Sequence, residues 1–434
     1  MKCPKFLPAV LLISLLSASY IFTSTSITTV RAASIFASLP NGYAFAGRVA
    51  VPSGSTAAGS GPTAPAWLGC TMQTRSVSHT VAAMSLGPYG KAGVTQTTVS
   101  NQQTATSGTI QTLAVLQNVD ILSGLITAAK IRAQVSSTAT SAGARSNILD
   151  ATFTGLNVAG KNISVSPGAN TTIHIANLGD LVLNEQGRGP SNGPNATYVG
   201  INMIDLYITA ANTRGLSIGT RIIVATVNSS EQLTPEPAIV GGQAYALNTT
   251  GNSGSGPGSG STSTGPVAAA LIGCGGGTTQ TNIANSSQPN VGSTGAVNDT
   301  ASGKITSSGT TATSQANVAN MNLLKGLIQG SQVTAIANAA WNGRGSGSAS
   351  TILTNMLIAG IPLSRSPAPN TRIPILDLGY AIVNEQSSYV SSSGAVESVN
   401  GIHIYVTQSN NVFGLSAGTQ IIIGHADASA LNLS

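Results

Sequence analysis

The sequence Leu-Gly-Asp-Leu-Val-Leu-Asn-Glu-Gln at residues 178–186 returns as Leu-Gly-Tyr-Ala-Ile-Val-Asn-Glu-Gln at residues 378–386, an offset of 200. Each segment is short, rich in aliphatic residues and closed by polar residues, which is typical of a β-strand that runs into a turn. Other matches follow in the same order along both halves: Gly160 and Gly360, Pro167 and Pro367, Gly215–Thr220 and Gly414–Thr419. An ordered series of this kind indicates an internal duplication.

The duplication predicts two domains, copy one at 40–230 and copy two at 239–434, joined by a Pro-containing linker at 231–238. Within each copy, apolar residues recur with a period of two, and turn residues interrupt them about every eight to twelve positions, the spacing of sandwich and barrel strands. We therefore predict an all-β protein of two tandem β-sandwich-like domains. A β-solenoid is the alternative, but it requires self-similarity at about twenty to thirty residues, which the sequence lacks.

Candidate strands follow from the same pattern. In copy one they lie near 43–50, 78–85, 108–120, 125–138, 148–158, 171–176, 180–186, 200–211 and 219–228, with matching segments in copy two. The segment Asn118–Gly124 is either a hairpin or a bend within one strand.

The composition agrees with a secreted β-protein. Hydrophobic residues make up 41% of the 434 residues, which is enough for a buried core, but charged residues make up only 7%, against about 25% in typical soluble domains. Gly, Ser, Thr, Asn and Gln supply the polar surface instead. This composition is more typical of secreted β-proteins than of cytosolic enzymes.

The N-terminus resembles an export signal. Lys2 and Lys5 precede an apolar run at 6–22, and small residues follow at the spacing that signal peptidase recognises. We predict a signal peptide at 1–33, the alternative being an uncleaved N-terminal anchor. The mature chain is then secreted or associated with the cell surface, with no membrane span after cleavage.

The charge distribution argues against a nucleic-acid partner. The formal net charge of +6 falls to +3 once Lys2, Lys5 and Arg31 are removed with the signal. The remaining basic residues are scattered singly, whereas nucleic-acid binding requires a basic cluster, usually with stacking aromatics. The sequence also lacks a phosphate-cradling loop, a dinucleotide fingerprint and the ligand spacing of a zinc site. We therefore predict no cofactor and no metal.

Several repeated motifs resemble one family. They are Gly-Leu-Asn-Val-Ala-Gly at 155–160, Pro-Gly-Ala-Asn-Thr-Thr-Ile at 167–173, the segment at 178–186 and the closing Gly-Leu-Ser-Ile-Gly-Thr from residue 215. In this order they are similar to the choice-of-anchor P family of bacterial exported proteins, over most of both copies. The resemblance implies a secreted or surface module without an assigned activity. The printed chain has no sortase motif, so we expect release or non-covalent retention.

Cys70 and Cys274 occupy matching positions in the two copies and are the only cysteines after the predicted signal. Two hypotheses stay open. Outside the cell the pair could form a disulfide between the copies, or each thiol could be buried unpaired in its own domain, since Cys is among the most buried residue types.

The acidic motif retained in both copies comprises Asn184, Glu185 and Gln186 in copy one and Asn384, Glu385 and Gln386 in copy two. Glycoside hydrolysis requires two carboxyl groups at a fixed separation, yet no second acid is retained, because Asp205 matches His403. We therefore interpret the motif as a structural turn whose side chains satisfy backbone groups at a strand end. The histidines also lack counterparts and are expected on the solvated surface.

The function predicted from the sequence is that of a non-enzymatic secreted or cell-surface structural protein. The alternative is a carbohydrate-binding or adhesive module for cell-wall or extracellular glycan, with Tyr207 and Tyr405 as a stacking platform because they are equivalent between the copies. Other plausible platform members are Trp67, Trp341, Tyr198 and Tyr389. A polysaccharide-degrading enzyme is a third hypothesis, which requires two carboxylates converging in a cleft.

Overall fold

The computed structural model describes residues 38–51, 60–69, 74–163, 165–187, 193, 195–233, 238–252, 261–288 and 290–432. All of them belong to one compact unit, Phe36–Ser434. The predicted signal peptide at 1–33 and Cys70 lie outside the described residues.

The described chain is all-β and sandwich-like, as predicted. The first half contains sixteen strands: β1 Ser38–Ala50, β2 Ser60–Thr63, β3 Ala66–Gly69, β4 Arg75–Val81, β5 Met84–Ser85, β6 Gly90–Ala92, β7 Thr95–Gln103, β8 Ser107–Ile121, β9 Ile126–Thr140, β10 Gly143–Thr154, β11 Asn157–Val158, β12 Lys161–Asn162, β13 Thr171–Ile175, β14 Gly179–Glu185, β15 Ala196–Ile208 and β16 Arg221–Leu233. A single 3₁₀ turn, Gly87–Tyr89, lies between β5 and β6.

The second half repeats the described strands one for one. They are β17 Ala238–Asn252, β18 Ser261–Val267, β19 Ala270–Ile272, β20 Gly277–Ile283, β21 Ser286–Gln288, β22 Gly292–Thr294, β23 Val297–Thr306, β24 Gly309–Leu323, β25 Ile328–Trp341, β26 Gly345–Thr354, β27 Leu357–Ile358, β28 Ile361–Pro362, β29 Thr371–Ile375, β30 Gly379–Ser391, β31 Gly394–Val406 and β32 Gln420–Asn432.

Each half pairs its strands into two antiparallel sheets. In the first half, β13, β14, β15, β16, β1 and β3 pair in that order, and β4, β7, β8, β9 and β10 form the facing sheet. The second half repeats this order with β29, β30, β31, β32, β17 and β19 against β20, β23, β24, β25 and β26. The two sheets of a half pack face to face, as in a β-sandwich.

Inward-facing aliphatic side chains form the core of each half. In the first half, Ile110 and Ile131 of one sheet meet Leu181 and Ile204 of the other, all fully buried. Because side chains alternate along a strand, the residues between these point to the outer face of their sheet. The outer face of β14, β15 and β16 carries the polar clusters described below.

Strand β7 was missed by the sequence prediction for a physical reason. Its inward positions include Thr95, Thr97 and Asn101, which are buried although they are polar. A strand that buries hydroxyl and amide groups shows no apolar alternation, so the pattern that finds strands cannot find it. The segment Asn118–Gly124 belongs to a hairpin, because Val119–Ile121 at the end of β8 pair with Ile126–Ala128 of β9.

The predicted linker is shorter in the structure. Glu231–Leu233 continue β16 and pair with β1, and Ala238 already begins β17. The halves also touch directly, because β2 pairs with its equivalent β18 through Thr63 and Thr264. Within the described part of the chain, we find no helix with the length and apolar character that crossing a membrane requires.

Candidate functional sites

The repeated asparagine of the Asn-Glu-Gln motif joins its strand to a neighbouring loop in each half. Asn184 and Asn384 have φ values of 51° and 54°, a left-handed conformation that asparagine tolerates well. Their side-chain amides donate hydrogen bonds to the carbonyl oxygens of Pro167, at 3.2 Å, and Pro367, at 2.9 Å. The same local geometry therefore recurs in both copies.

The repeated glutamine is bound to the same loop. The backbone N–H of Gln186 donates to Asn170 Oδ1 at 2.8 Å, and that of Gln386 donates to Asn370 Oδ1 at 2.9 Å. In the second half the strand does not end at the motif, because β30 continues to Ser391. The motif is thus a left-handed kink beside a loop, and in copy two it lies within a strand.

The turn interpretation is wrong for the glutamate. Glu185 Oε1 accepts a hydrogen bond from the Tyr207 hydroxyl at 2.6 Å, and its Oε2 accepts one from Asn202 Nδ2 at 3.0 Å. The carboxylate is therefore bonded to side chains of the neighbouring strand. We call Glu185, Asn202, Asp205, Tyr207 and Arg221 the first glutamate cluster.

A buried ion pair lies within the first glutamate cluster. Asp205 is fully buried, and Arg221 Nε donates to its Oδ1 at 2.7 Å while Arg221 Nη2 bonds to Oδ2. The same Nη2 atom lies 3.1 Å from Glu185 Oε2. Arg221 thus bridges both carboxylates, and Asn202 also donates to both, reaching Asp205 Oδ2 at 2.9 Å.

The pKa values of the two carboxyl groups in this cluster are shifted in opposite directions. Burial would raise the pKa of Glu185, but hydrogen bonds with Asp205, Tyr207 and Asn202, together with the Arg221 charge, lower it to about 2. Burial raises the pKa of Asp205 to about 7, with Glu185 adding to the rise and Arg221 opposing it. Two adjacent acids do not ionise together easily, which accounts for the separation.

The second glutamate cluster comprises Glu385, Asn400, His403, Tyr405 and Gln420. Glu385 accepts from Tyr405 and from Asn400, each at 2.7 Å, and from His403 Nδ1 at 2.5 Å. His403 Nε2 lies 3.0 Å from Gln420 Oε1. Burial would raise the pKa of Glu385, but its hydrogen bonds with His403, Tyr405 and Asn400 lower it to about 2.

The expectation of surface histidines is wrong for two of the four. His403 is buried, and His425 is largely covered and bonds through Nδ1 to Asn400 Oδ1 at 2.6 Å. His174 is exposed and pairs with Asp180 at 2.9 Å. Sequence comparison of the copies missed His403 because an Asp–Arg pair in one half is replaced by a His–Gln pair in the other.

The tyrosines of the predicted platform have their rings engaged within the protein. Tyr405 stacks on Tyr380 with ring centroids 4.8 Å apart, and its centroid lies 4.0 Å from that of His403. The Arg221 guanidinium lies over the Tyr207 ring at 4.8 Å. Both hydroxyls donate to glutamates, so these tyrosines hold the clusters together.

Cys274 is buried beside Leu39 and Ile239 and is disulfide-bonded. The unpaired-thiol alternative therefore does not hold for Cys274. The remaining cysteines, Cys3 and Cys70, are outside the described residues, so the Cys70–Cys274 pairing stays a prediction. In the described ranges we find no group of three or more His, Cys, Asp or Glu residues suited to a metal ion.

A cleft of about 200 Å³ lies where the two halves meet. Tyr43 of β1, Trp67 of β3 and His79 of β4 line it from the first half, and Tyr245 of β17 and His425 of β32 line it from the second. Sequence reasoning named Trp67 but not its neighbours. The cleft could not be predicted from the sequence, because it is formed by contact between the two halves.

Comparison with family models, curated proteins and solved structures finds no match to this chain. The function must therefore be argued from the clusters and the cleft.

Proposed function

We propose that this chain is a non-catalytic protein of the cell exterior, secreted or held at the cell surface, with a structural role. The observation that carries the proposal is the arrangement of the retained Glu185 and Glu385. Each of these carboxylates accepts hydrogen bonds at both oxygens from side chains of its own sheet, which is the arrangement of a structural polar network.

The first glutamate cluster offers the best case for an enzyme, and its geometry argues against one. A low and a raised pKa on adjacent carboxyls is the pattern of a general acid and base. However, glycosidase carboxyls are about 5–9.5 Å apart so that sugar and water fit between them. Here Arg221 Nη2 bonds to both Glu185 and Asp205, and Asp205 is fully buried. A substrate would have no access to Asp205.

The difference between the halves supports the same proposal. The second glutamate cluster keeps the Glu–Tyr–Asn arrangement but replaces the second acid with His403. A catalytic dyad would lose its acid by this replacement, whereas a packed polar network needs only another hydrogen-bond donor. The low charged fraction and the resemblance to the choice-of-anchor P family agree with a surface role.

Cell fractionation of the source organism, combined with activity assays on the purified chain, tests this proposal. We expect the chain in the medium or envelope fraction and no product release from wall or plant polysaccharides. Polysaccharide cleavage that disappears in Glu185→Gln would overturn it, as would a purely cytoplasmic distribution. The matched Glu385→Gln variant shows whether an activity depends on one cluster or on both.

A non-reducing peptide map supplies an independent check on the compartment. A disulfide survives outside the cell or in the envelope but seldom in the cytoplasm. We expect a peptide pair that contains Cys70 and Cys274 and that separates on reduction. Free thiol at Cys274 in freshly isolated protein would argue against export.

A further inference from the structure

The cleft between the halves combines aromatic rings with polar side chains. We propose that this cleft binds one pyranose ring of a neutral saccharide, stacked against Trp67. This inference goes beyond the structural role proposed above, and a failure to bind sugar leaves that role standing. It also differs from the platform predicted at Tyr207 and Tyr405, whose rings are engaged elsewhere.

The aromatic side chains of the cleft are held in fixed orientations. Trp67 Nε1 donates a hydrogen bond to Asn41 Oδ1 at 3.2 Å. Tyr245 stacks on His425 with ring centroids 4.5 Å apart and 19° between the planes. Rings that are immobilised before binding lose little conformational entropy when a ligand arrives. Flat aromatic faces are the surfaces against which the C–H faces of sugars pack.

Polar residues also line the cleft. They include Gln243, Asn248 and His79. Asn248 Oδ1 is buried and accepts no hydrogen bond of good geometry from the described residues. The Asn248 side chain nevertheless lies close to Tyr245: burial raises the pKa of the Tyr245 phenol, and Asn248 lowers it in part. A few polar side chains within an aromatic lining are typical of small-ligand sites.

The charge and size of the cleft define the ligand class. Its described lining residues include no Asp, Glu, Lys or Arg, so the lining has no permanent charge to favour a uronate or a phosphate over a neutral sugar. Its volume of about 200 Å³ is below the roughly 300–1,000 Å³ of pockets for drug-sized ligands, which suits one sugar ring of a longer chain. Both halves contribute to the wall, so the site depends on the duplication.

The two tryptophans of the chain permit a direct test. In the Trp341→Phe variant, Trp67 is the only tryptophan, and its fluorescence reports on the cleft alone. The probes are xylohexaose, cellohexaose, maltohexaose and chitohexaose at millimolar concentration, with trigalacturonic acid as the charged comparison. We expect saturable emission changes with at least one neutral probe and none with the acidic one.

Calorimetry with the responding probe then assigns the site. We expect Trp67→Ala to weaken binding about tenfold or more, equivalent to about 1.4 kcal/mol, and Trp341→Ala to bind as the parent does. Trp341 is a suitable control because it is a tryptophan outside the cleft whose Nε1 donates to Ser392 O. Trp67→Phe keeps a ring and should retain most of the affinity, which separates stacking from misfolding.

Three outcomes would overturn the inference. They are no response of Trp67 to any neutral probe, equal binding of the acidic probe, and affinity that survives in a folded Trp67→Ala variant. Circular dichroism of each variant establishes that it is folded before its binding is compared.

Discussion

In the first half Glu185 lies beside an ion pair of Asp205 and Arg221, whereas in the second half Glu385 lies beside His403 and Gln420. The strands that carry these residues pair in the same register, and the tyrosine and asparagine that bond to each glutamate are retained. Among the five residues that define each cluster, two differ: Asp205 and Arg221 are replaced by His403 and Gln420. The backbone therefore tolerates either partner pair.

The comparison shows which property of the site is maintained. In both halves Oε2 of the glutamate accepts from the retained asparagine and from one further donor, which is Arg221 in one half and His403 in the other. A partly buried carboxylate needs several hydrogen bonds to offset its desolvation. The number of donors to the carboxylate is kept, but one of the donors changes from a guanidinium to an imidazole.

The largest expected difference between the halves is the loss of folding stability when Arg221 or its equivalent Gln420 is replaced by alanine. Arg221→Ala leaves the buried Asp205 and the neighbouring Glu185 without a cation, and we expect a loss of about 3 kcal/mol, the lower end for a broken buried pair because Arg221 is itself partly exposed. Gln420→Ala removes one neutral hydrogen bond and should cost about 1 kcal/mol. Urea unfolding measures both, and equal losses would contradict the comparison.

Removal of the retained hydroxyl should affect the halves equally. Tyr207→Phe and Tyr405→Phe each delete a hydrogen bond to a carboxylate, worth about 2 kcal/mol. Because these bonds help to lower the pKa of Glu185 and Glu385 to about 2, their stabilisation is present above the unfolded pKa of about 4.3 and lost as the pH falls toward 2.

The measurement for these variants is urea unfolding at neutral and acidic pH. We expect a smaller deficit at pH 3 than at pH 7 for both. Tyr389→Phe, on an exposed side chain, is the control and should match the parent. A large loss of stability in one half only would mean that the tyrosine–glutamate hydrogen bond does not have the same role in the two clusters.

The sequence was sufficient for the fold class, because the strand period and the repeated segments are local patterns. It also holds a signal for the clusters: Asn202, Ile204 and Tyr207 recur with identical spacing as Asn400, Ile402 and Tyr405. The platform prediction used the tyrosines of this match but not the asparagines. The partners of a carboxylate can be an arginine, a histidine or an amide, so residue identity is a poor guide to them.

The cleft and strand β7 could not be predicted for different reasons. The cleft arises from contact between halves whose relative placement is not encoded in any local pattern. Strand β7 buries polar side chains, and its equivalent β23 even buries a carboxyl, because Asp299 occupies the position of Thr97. Such residues depend on partners from other strands, which a single segment does not reveal.

The replacement of Thr97 by Asp299 is a third difference between the halves. Thr97 donates to Ala64 O at 2.6 Å, whereas Asp299 Oδ2 accepts no hydrogen bond of good geometry from the described residues. Burial raises the pKa of this carboxyl to about 8, although the backbone N–H groups of Asn317 and Ala246 oppose the rise. The folded state then holds a proton that the unfolded chain releases above about pH 4. Stability contributed by protonated Asp299 is therefore lost as the pH rises from about 4 to about 8, by about 1.4 kcal/mol per pH unit.

Asp299→Asn and Asp299→Thr should remove this dependence. We expect the stability of the variants relative to the parent to increase between pH 6 and pH 7 by about 1.4 kcal/mol, measured by urea unfolding at each pH. Asn retains an acceptor for the N–H of Asn317, which bonds to Asp299 Oδ1 at 3.2 Å, and Thr reproduces the residue of the first half. Identical pH slopes for parent and variants would show that Asp299 is ionised in the folded protein.

The smallest expected effect tests whether the partner pairs are interchangeable as units. Asp205→His and Arg221→Gln transplant the second pair into the first half, where Tyr207 offers the ring that His403 contacts on Tyr405. Each single change leaves an unmatched partner, because Asp205→His places an imidazole against the Arg221 cation and Arg221→Gln leaves Asp205 without a cation. We expect the double variant to be more stable than the sum of the single effects predicts, with a coupling energy of about 1 kcal/mol. The reciprocal His403→Asp and Gln420→Arg pair is the matched control, and strictly additive losses in both halves would mean that each pair depends on packing specific to its own copy.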